Sequence, residues 1–187
     1  MYSSAPAPRG ARPASNATVA AYAGPVLTGL AHTALCVPDV EAATEWYSQV
    51  LGLRVLSPPY RMEGPQIERD MGELVPSPVV VAASILGFGT DDRVLELIEY
   101  PAMPTSPRAR TQTPDVTRVG ITHVGMLCDD IAVTRAQLES HGVEFLTSGV
   151  ANVAGLKTTW CSDPWGTVII LLEKTEHARP YWSQLMP

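Results

Sequence analysis

The sequence predicts an α+β fold in which two tandem βαβββ modules form curved mixed sheets around a central pocket. The first observation is a β-rich stretch, residues 30–37, that carries a histidine and runs into an acidic helix cap. The second is that the same order of features returns in residues 120–131. The third is that each copy continues into two further apolar runs joined by a short loop, which is typical of a β-hairpin.

Each element of module 1 has its own local signal. Asp39 is placed to cap a helix that runs from Val40 to about Leu51, and Gly52 is placed to end that helix. Alternating and β-branched residues indicate strands around the helix. The strands predicted for module 1 are residues 30–37, 53–56, 79–86 and 93–100.

Module 2 repeats this order in the same register. Asp129 or Asp130 caps a helix that ends at Gly142. His32 and His123 lie 91 residues apart, and a spacing that holds along the whole unit indicates an internal repeat. The strands predicted after the second helix are residues 143–146, 156–161 and 167–172.

The repeat predicts one domain, residues 27–175, with an extension at either end. Residues 1–26 are rich in alanine and proline and are expected to be a flexible extension. Residues 57–78 are too long for a simple turn, and long loops of this kind usually cover a site. The predicted divisions are module 1 at 27–101, a linker at 102–117, module 2 at 118–175 and a C-terminal tail at 176–187.

The bulk composition excludes several classes of partner. A net charge of −6 with scattered basic residues argues against nucleic acid and anionic membranes. No apolar run approaches the roughly 18–20 residues that cross a bilayer. Three cysteines, an odd number without a secretory framework, fit a reducing compartment. We therefore expect a cytoplasmic protein.

Glu96 stands out as an acid in the middle of an apolar strand. A buried carboxylate is costly unless it is paired, hydrogen-bonded or bound to a cation. Because strand faces alternate, Glu96 can instead face solvent on a one-sided sheet. Glu99, nearer the end of the strand, suits that solvent-facing interpretation better.

The matched positions of the two histidines change how each of them is interpreted. Taken singly, His32 or His123 is best interpreted as a hydrogen-bonded core residue. Together with Glu96 they form a set of two histidines and one carboxylate. Such a set suits iron, manganese, cobalt, nickel or zinc, with further coordination positions open to substrate or water.

These features resemble the vicinal oxygen chelate superfamily. The resemblance is carried by the paired βαβββ modules, the strand histidine before a helix, the Leu-Glu-Leu strand around Glu96 and the Asp-Pro-Trp-Gly turn at 163–166. The superfamily includes glyoxalase I, methylmalonyl-CoA epimerase, extradiol dioxygenases and the bleomycin- and fosfomycin-resistance proteins. The resemblance implies one divalent metal ion, a small substrate with two adjacent oxygens and a homodimer. It leaves open whether the modules pair within one chain or across the dimer.

The resemblance places four pocket positions on the first and fourth strands of the two modules. They correspond here to His32, Glu96, His123 and Ile170. Glyoxalases and epimerases usually have a glutamate at the position of Ile170, so the second carboxylate is absent. Glu173 comes three residues later, on the opposite face of the strand, and is a poor substitute.

Three hypotheses follow for the function. The leading one is a metal-dependent lyase or isomerase in which the metal acts as a Lewis acid and Glu96 is the catalytic acid or base. The second is an Fe(II) dioxygenase, for which the loss at Ile170 matters less. The third is an antibiotic-binding resistance protein that uses the same cavity without catalysis. Loop acids that could assist Glu96 are Glu63, Glu68 and Glu73.

Overall fold

The structure is a computed structural model that describes residues 27, 29–89, 93–104 and 115–185 of the 187-residue chain. The predictions for the extension 1–26 and for the middle of the linker lie outside the described residues. Contacts between Cα atoms divide the chain into Met1–Leu30 and Ala31–Pro187, and the second unit contains every helix and strand that the structure describes.

The described elements confirm the predicted α+β class and the order of the repeat. In module 1 they are β1 (His32–Cys36), α1 (Val40–Gln49), β2 (Arg54–Glu63), α2 (Pro65–Met71), β3 (Val80–Gly87) and β4 (Val94–Glu99). In module 2 they are β5 (Val124–Cys128), α3 (Ile131–Ser140), β6 (Glu144–Phe145), β7 (Ala151–Val153), β8 (Leu156–Ser162) and β9 (Val168–Lys174). A 3-10 helix, Tyr181–Leu185, follows β9. Every helix that the structure describes is too short or too polar to pass through a lipid bilayer.

The two sheets have the same strand order. Sheet 1 runs β1-β4-β3-β2, and sheet 2 runs β5-β9-β8-β6 with β7 paired to β8. In the parallel pair β1–β4, Ala34 lies opposite Glu96. In the parallel pair β5–β9, Gly125 lies opposite Ile170. The strand register therefore gives Glu96 and Ile170 equivalent positions in the two modules.

The helix boundaries arise from the signals read in the sequence. The carboxylates of Asp39 and Asp130 accept hydrogen bonds of 2.9–3.0 Å from backbone N–H groups in the first turns of α1 and α3. Gly52 and Gly142 follow the helices with φ angles of 75° and 77°, which glycine adopts without a steric cost.

The segment between β2 and β3 differs from the prediction. The strand predicted at 53–56 continues to Glu63, and α2 follows it, so the predicted 57–78 loop is largely ordered structure. Pro58 and Pro59 had indicated a loop. They are accommodated because β2 is an edge strand whose register shifts between Ser57 and Tyr60. The short strand β7 was likewise not predicted.

The helix-facing sides of the two sheets share one core. Leu97 of β4 and Ile169 of β9, both fully buried, belong to the same cluster as Tyr47 of α1. Tyr47 joins the modules directly, because its hydroxyl donates a 2.8 Å hydrogen bond to Asp163 and its ring stacks on Trp165 at 6.4 Å. On the opposite side of sheet 1, Ile67 of α2 packs in a smaller buried cluster with Val81 and Ala83 of β3.

Candidate functional site

Glu96 lies on the face of sheet 1 that turns away from α1. Its neighbours Leu95 and Leu97 are buried in the shared core, and strand alternation therefore turns Glu96 to the other side. We call this side, which carries His32, Ala34, Glu96 and Ile98, the open face of module 1. The Glu96 side chain is 17% exposed there, so it is neither a core residue nor a freely solvated acid.

His32 and Glu96 are brought together on this face. The Nε2 atom of His32 lies 3.2 Å from Oε2 of Glu96, and the histidine side chain is 50% exposed. The contact follows from the parallel register of β1 and β4, which sets the two residues on adjacent strands of one face. An imidazole nitrogen beside a carboxylate oxygen presents two donor atoms that suit a divalent transition metal.

The charge of Glu96 acts on two phenols, Tyr60 and Tyr100. Tyr60 pairs with Ala83, and Ile85 pairs with Glu96, so the register places Tyr60 and Glu96 on the same face. Burial, followed by the negative charge of Glu96, raises the pKa of Tyr60. Burial, Cys36 and Glu96 raise the pKa of Tyr100. Both phenols therefore stay protonated at neutral pH.

Tyr60 was missed in the sequence because it lies in the segment interpreted as a loop. Two acids of that segment are engaged elsewhere: Glu63 pairs with Arg61 at 3.0 Å, and Glu68 accepts a 2.8 Å hydrogen bond from the backbone of Val79. Glu73 is exposed. The loop acids thus give little support to the expectation that they assist Glu96, whereas Tyr60 lies on the same sheet face as Glu96.

His123 lies just before β5 and has different partners. Its Nδ1 atom is 2.6 Å from the hydroxyl oxygen of Thr122. Its ring meets the indole of Trp160 edge-to-face, with centroids 4.8 Å apart and planes at 76°. Trp160 lies opposite Ile170 in the β8–β9 pair. The open face of module 2, which carries Gly125, Trp160 and Ile170, is therefore apolar beside the histidine.

Glu173 lies on the other side of sheet 2. One carboxylate oxygen accepts a 2.8 Å hydrogen bond from the backbone of Ile131, and the other accepts a 2.6 Å hydrogen bond from Lys157. This placement agrees with the expectation that Glu173 does not replace the carboxylate missing at Ile170. Glu99 corrects the sequence interpretation, because its carboxylate accepts a 2.9 Å hydrogen bond from the backbone of Val40 instead of simply facing solvent.

The three predicted ligands do not meet at one site within the chain. His32 and Glu96 form a pair, while His123 is held by Thr122 and Trp160 on the second sheet. Within the described part of the chain, no three histidine, cysteine, aspartate or glutamate side chains lie close enough to hold one metal ion.

Solved structures place this architecture among known folds. A glyoxalase family protein from Bacillus cereus superposes with a TM-score of 0.69 at 20% identity, covering 83% of this chain and 100% of its own. The trypanothione-dependent glyoxalase I of Leishmania major gives 0.52 at 20% identity, covering 79% and 87%. An antibiotic-binding protein from Streptomyces sp. CB03234 gives 0.52 at 19% identity, covering 81% and 99%. At these identities the likeness shows a shared fold.

No curated protein matches the chain in sequence. A family profile does match it, over residues 29–171, and covers both βαβββ modules. The chain therefore belongs to the Glyoxalase/Bleomycin resistance protein/Dioxygenase superfamily.

Proposed function

We propose that this protein is a divalent-metal-dependent enzyme that chelates a small substrate through two adjacent oxygens and catalyses an isomerase- or lyase-type step. The observation that carries the proposal is the His32–Glu96 pair, 3.2 Å apart on an open sheet face, with His123 at the matching point of the repeat. Superfamily membership supports it, since the superfamily's name includes glyoxalases and dioxygenases.

The donor set fits a metal of the iron-to-zinc series. Two imidazole nitrogens and one carboxylate oxygen suit iron, manganese, cobalt, nickel or zinc better than magnesium or calcium. The residues that would hold the ion are His32, Glu96 and His123. When bound, the ion would supply Lewis-acid polarisation of the two substrate oxygens.

Glu96 is the proposed catalytic acid or base. Its carboxylate has the protonated phenols of Tyr60 and Tyr100 nearby. These phenols can donate hydrogen bonds to the carboxylate or to a substrate oxygen, which orients the group that gains or loses the proton. Trp160 and Ile170 supply an apolar wall that excludes water from the other side of the site.

We further propose that a second copy of the chain completes the site. Among the residues that the structure describes, β1 and β5 are edge strands of their sheets, and His32 and His123 lie at these edges. Along the β5 edge, Ile121 and Leu127 are 83% and 52% exposed. Exposed apolar side chains beside an unpaired strand favour burial against another chain. In such a homodimer, the partner's His123 joins the His32–Glu96 pair.

An Fe(II) dioxygenase is the second candidate, and Ile170 is the observation that favours it. Two histidines and one carboxylate suffice for a non-haem Fe(II) site that leaves positions open for substrate and dioxygen. Binding without catalysis is the third candidate, favoured by the apolar surface of Trp160 and Ile170. Neither the dioxygenase nor the binding protein needs proton transfer by Glu96.

Metal content is the measurement that tests the proposal. We expect about one manganese, iron, cobalt, nickel or zinc ion per chain. His32→Ala, Glu96→Ala and His123→Ala should each lose the ion. His141→Ala is the matched control, because His141 contacts the last turn of α3 and should keep it.

The outcomes separate the candidates. Failure of the wild-type protein to bind any of these ions, or equal binding by the ligand variants, would overturn both enzyme proposals. Iron together with substrate-dependent oxygen consumption would favour the dioxygenase over the lyase or isomerase.

A further inference from the structure

The two repeated histidines are held in different ways. His32 is preceded by Ala31, and its Nε2 atom faces the carboxylate of Glu96 at 3.2 Å. His123 is preceded by Thr122, whose hydroxyl oxygen lies 2.6 Å from Nδ1. The repeat therefore diverges at the residue before each histidine as well as at the strand position that is Glu96 in one module and Ile170 in the other.

The difference between Ala31 and Thr122 and the difference between Glu96 and Ile170 both change the hydrogen-bond partner of a histidine. A neutral ring carries its proton on one nitrogen, and the partner of one nitrogen decides whether the other has a free lone pair. A histidine that binds a metal nearly always donates its second N–H to a fixed acceptor. Ile170 has no polar side-chain atom to offer His123, whereas the hydroxyl of Thr122 is already at hydrogen-bond distance.

The indole of Trp160 restricts the same ring from another direction. Its edge-to-face contact, at 4.8 Å and 76°, fixes the plane of the imidazole. The hydroxyl then fixes which nitrogen faces Thr122. When Nδ1–H donates to the oxygen of Thr122, the lone pair is on Nε2.

We propose that Thr122 is a positioning residue that holds His123 in the Nδ1–H tautomer and directs the Nε2 lone pair outward to a cation. The role toward a cation rests on the proposed function. The tautomer does not, because it is a property of the metal-free chain.

Nitrogen-15 NMR of the histidine side chains in the metal-free full chain tests the tautomer. The four histidines are distinguished by the loss of one set of signals in His123→Ala. We expect the Nδ1–H pattern for His123 in the wild type and in Thr122→Ser, and an unrestrained mixture in Thr122→Val. Thr117→Val is the matched control, because Thr117 bonds Asp115 in the same segment and should leave His123 unchanged.

Titration with manganese or zinc tests the role toward the cation. Thr122→Val should weaken binding by about 10–100-fold, the usual effect of removing the partner of a metal-binding histidine. Thr122→Ser and Thr117→Val should bind like the wild type.

The NMR measurement and the metal titration test different claims, so each claim can be overturned on its own. An Nε2–H pattern in the wild type, or the same pattern in Thr122→Val, would overturn the inference. A changed tautomer with unchanged affinity would overturn the role toward the cation. A wild-type chain that binds no metal would overturn the proposed function, and the NMR result would still decide the tautomer.

Discussion

Glu99 and Glu173 are a second pair of repeated carboxylates, and they hold the starts of helices α1 and α3. Glu99 accepts a hydrogen bond from Val40 at 2.9 Å, and Glu173 accepts one from Ile131 at 2.8 Å. A carboxylate at this end of a helix satisfies a free N–H and complements the helix dipole. The repeat is therefore preserved at these structural carboxylates, while it has diverged at Glu96 and Ile170.

Replacing Glu173 with glutamine should lower the free energy of unfolding at pH 7 by about 1–3 kcal/mol, because the buried N–H of Ile131 loses a charged acceptor. Denaturant unfolding measures this change. Glu176→Gln is the control, since Glu176 pairs with Arg179 on the surface and such pairs contribute about 0–1 kcal/mol.

The same variant should show a defined pH dependence. The hydrogen bond from Lys157, and then that from Ile131, lower the pKa of Glu173. A lowered folded-state pKa stabilises the protein above the unfolded value of roughly 4.3, and this contribution disappears as the pH falls through the folded value. The difference between wild type and Glu173→Gln should therefore shrink in acid. A difference that grows in acid would contradict the assignment.

The turn between β8 and β9 ties helix α1 to module 2. Asp163, which is 3% exposed, accepts hydrogen bonds from the backbone of Trp165 and Thr167 at 3.0 and 2.7 Å. Its second oxygen accepts from the hydroxyl of Tyr47 at 2.8 Å. Burial and the charge of Asp163 raise the pKa of Tyr47, so the phenol remains the donor. The Asp-Pro-Trp-Gly motif thus acts here as a joint between modules.

Tyr47→Phe should destabilise the protein by about 1–3 kcal/mol, because it leaves a buried carboxylate oxygen without its donor. Urea unfolding compares it with Tyr181→Phe, a matched change at a residue that is 42% exposed. Equal stability of the two variants would mean that the hydrogen bond from the Tyr47 hydroxyl to Asp163 does not stabilise the contact between α1 and module 2.

Local signals in the sequence predicted the elements that depend on neighbouring residues. Asp39 and Asp130 cap helices through contacts within one turn. Spacing therefore located the first helix start, and located the second to within one residue, Asp129 or Asp130. The continuation of β2 past Pro58 depends on its position at the sheet edge, which a local pattern does not contain. Glu99 was misjudged for the same reason, because its partner lies 59 residues away.

The candidate site was predictable to the extent that it follows the repeat. Matched spacing and the apolar strand around Glu96 pointed to His32, Glu96 and His123 as candidates, and the parallel register explains why His32 meets Glu96. The partner of His123 was not predicted, because a contact between Thr122 and its neighbour depends on their rotamers. The sequence also left open how the two modules are arranged, which depends on long-range packing.

That packing has a consequence for the whole molecule. The helix-facing sides of both sheets are joined in one core through Tyr47 and Trp165. In the described part of the chain, β1 and β5 are edge strands of their sheets. In the proposed homodimer, each site takes His32 and Glu96 from one copy and His123 from the other. Two such sites are related by the twofold axis of the dimer.

Mixed dimers distinguish this arrangement from a site within one chain. Glu96→Gln and His123→Ala each damage both sites of their own homodimer. A heterodimer of the two variants has one intact site, because the His123→Ala copy supplies His32 and Glu96 and the Glu96→Gln copy supplies His123. Coexpression with two different affinity tags yields the heterodimer, and we expect about one metal ion per heterodimer against about two per wild-type dimer.

The matched control combines His32→Ala with Glu96→Gln. Both changes fall on the half of the site that one copy supplies as His32 and Glu96. Each site of that heterodimer therefore lacks a ligand, and the heterodimer should bind no metal. Restored binding in the first heterodimer but not in the control requires that His123 act across the dimer. If the ligands instead met within one chain, both heterodimers would remain empty, because every chain would carry its own damaged site.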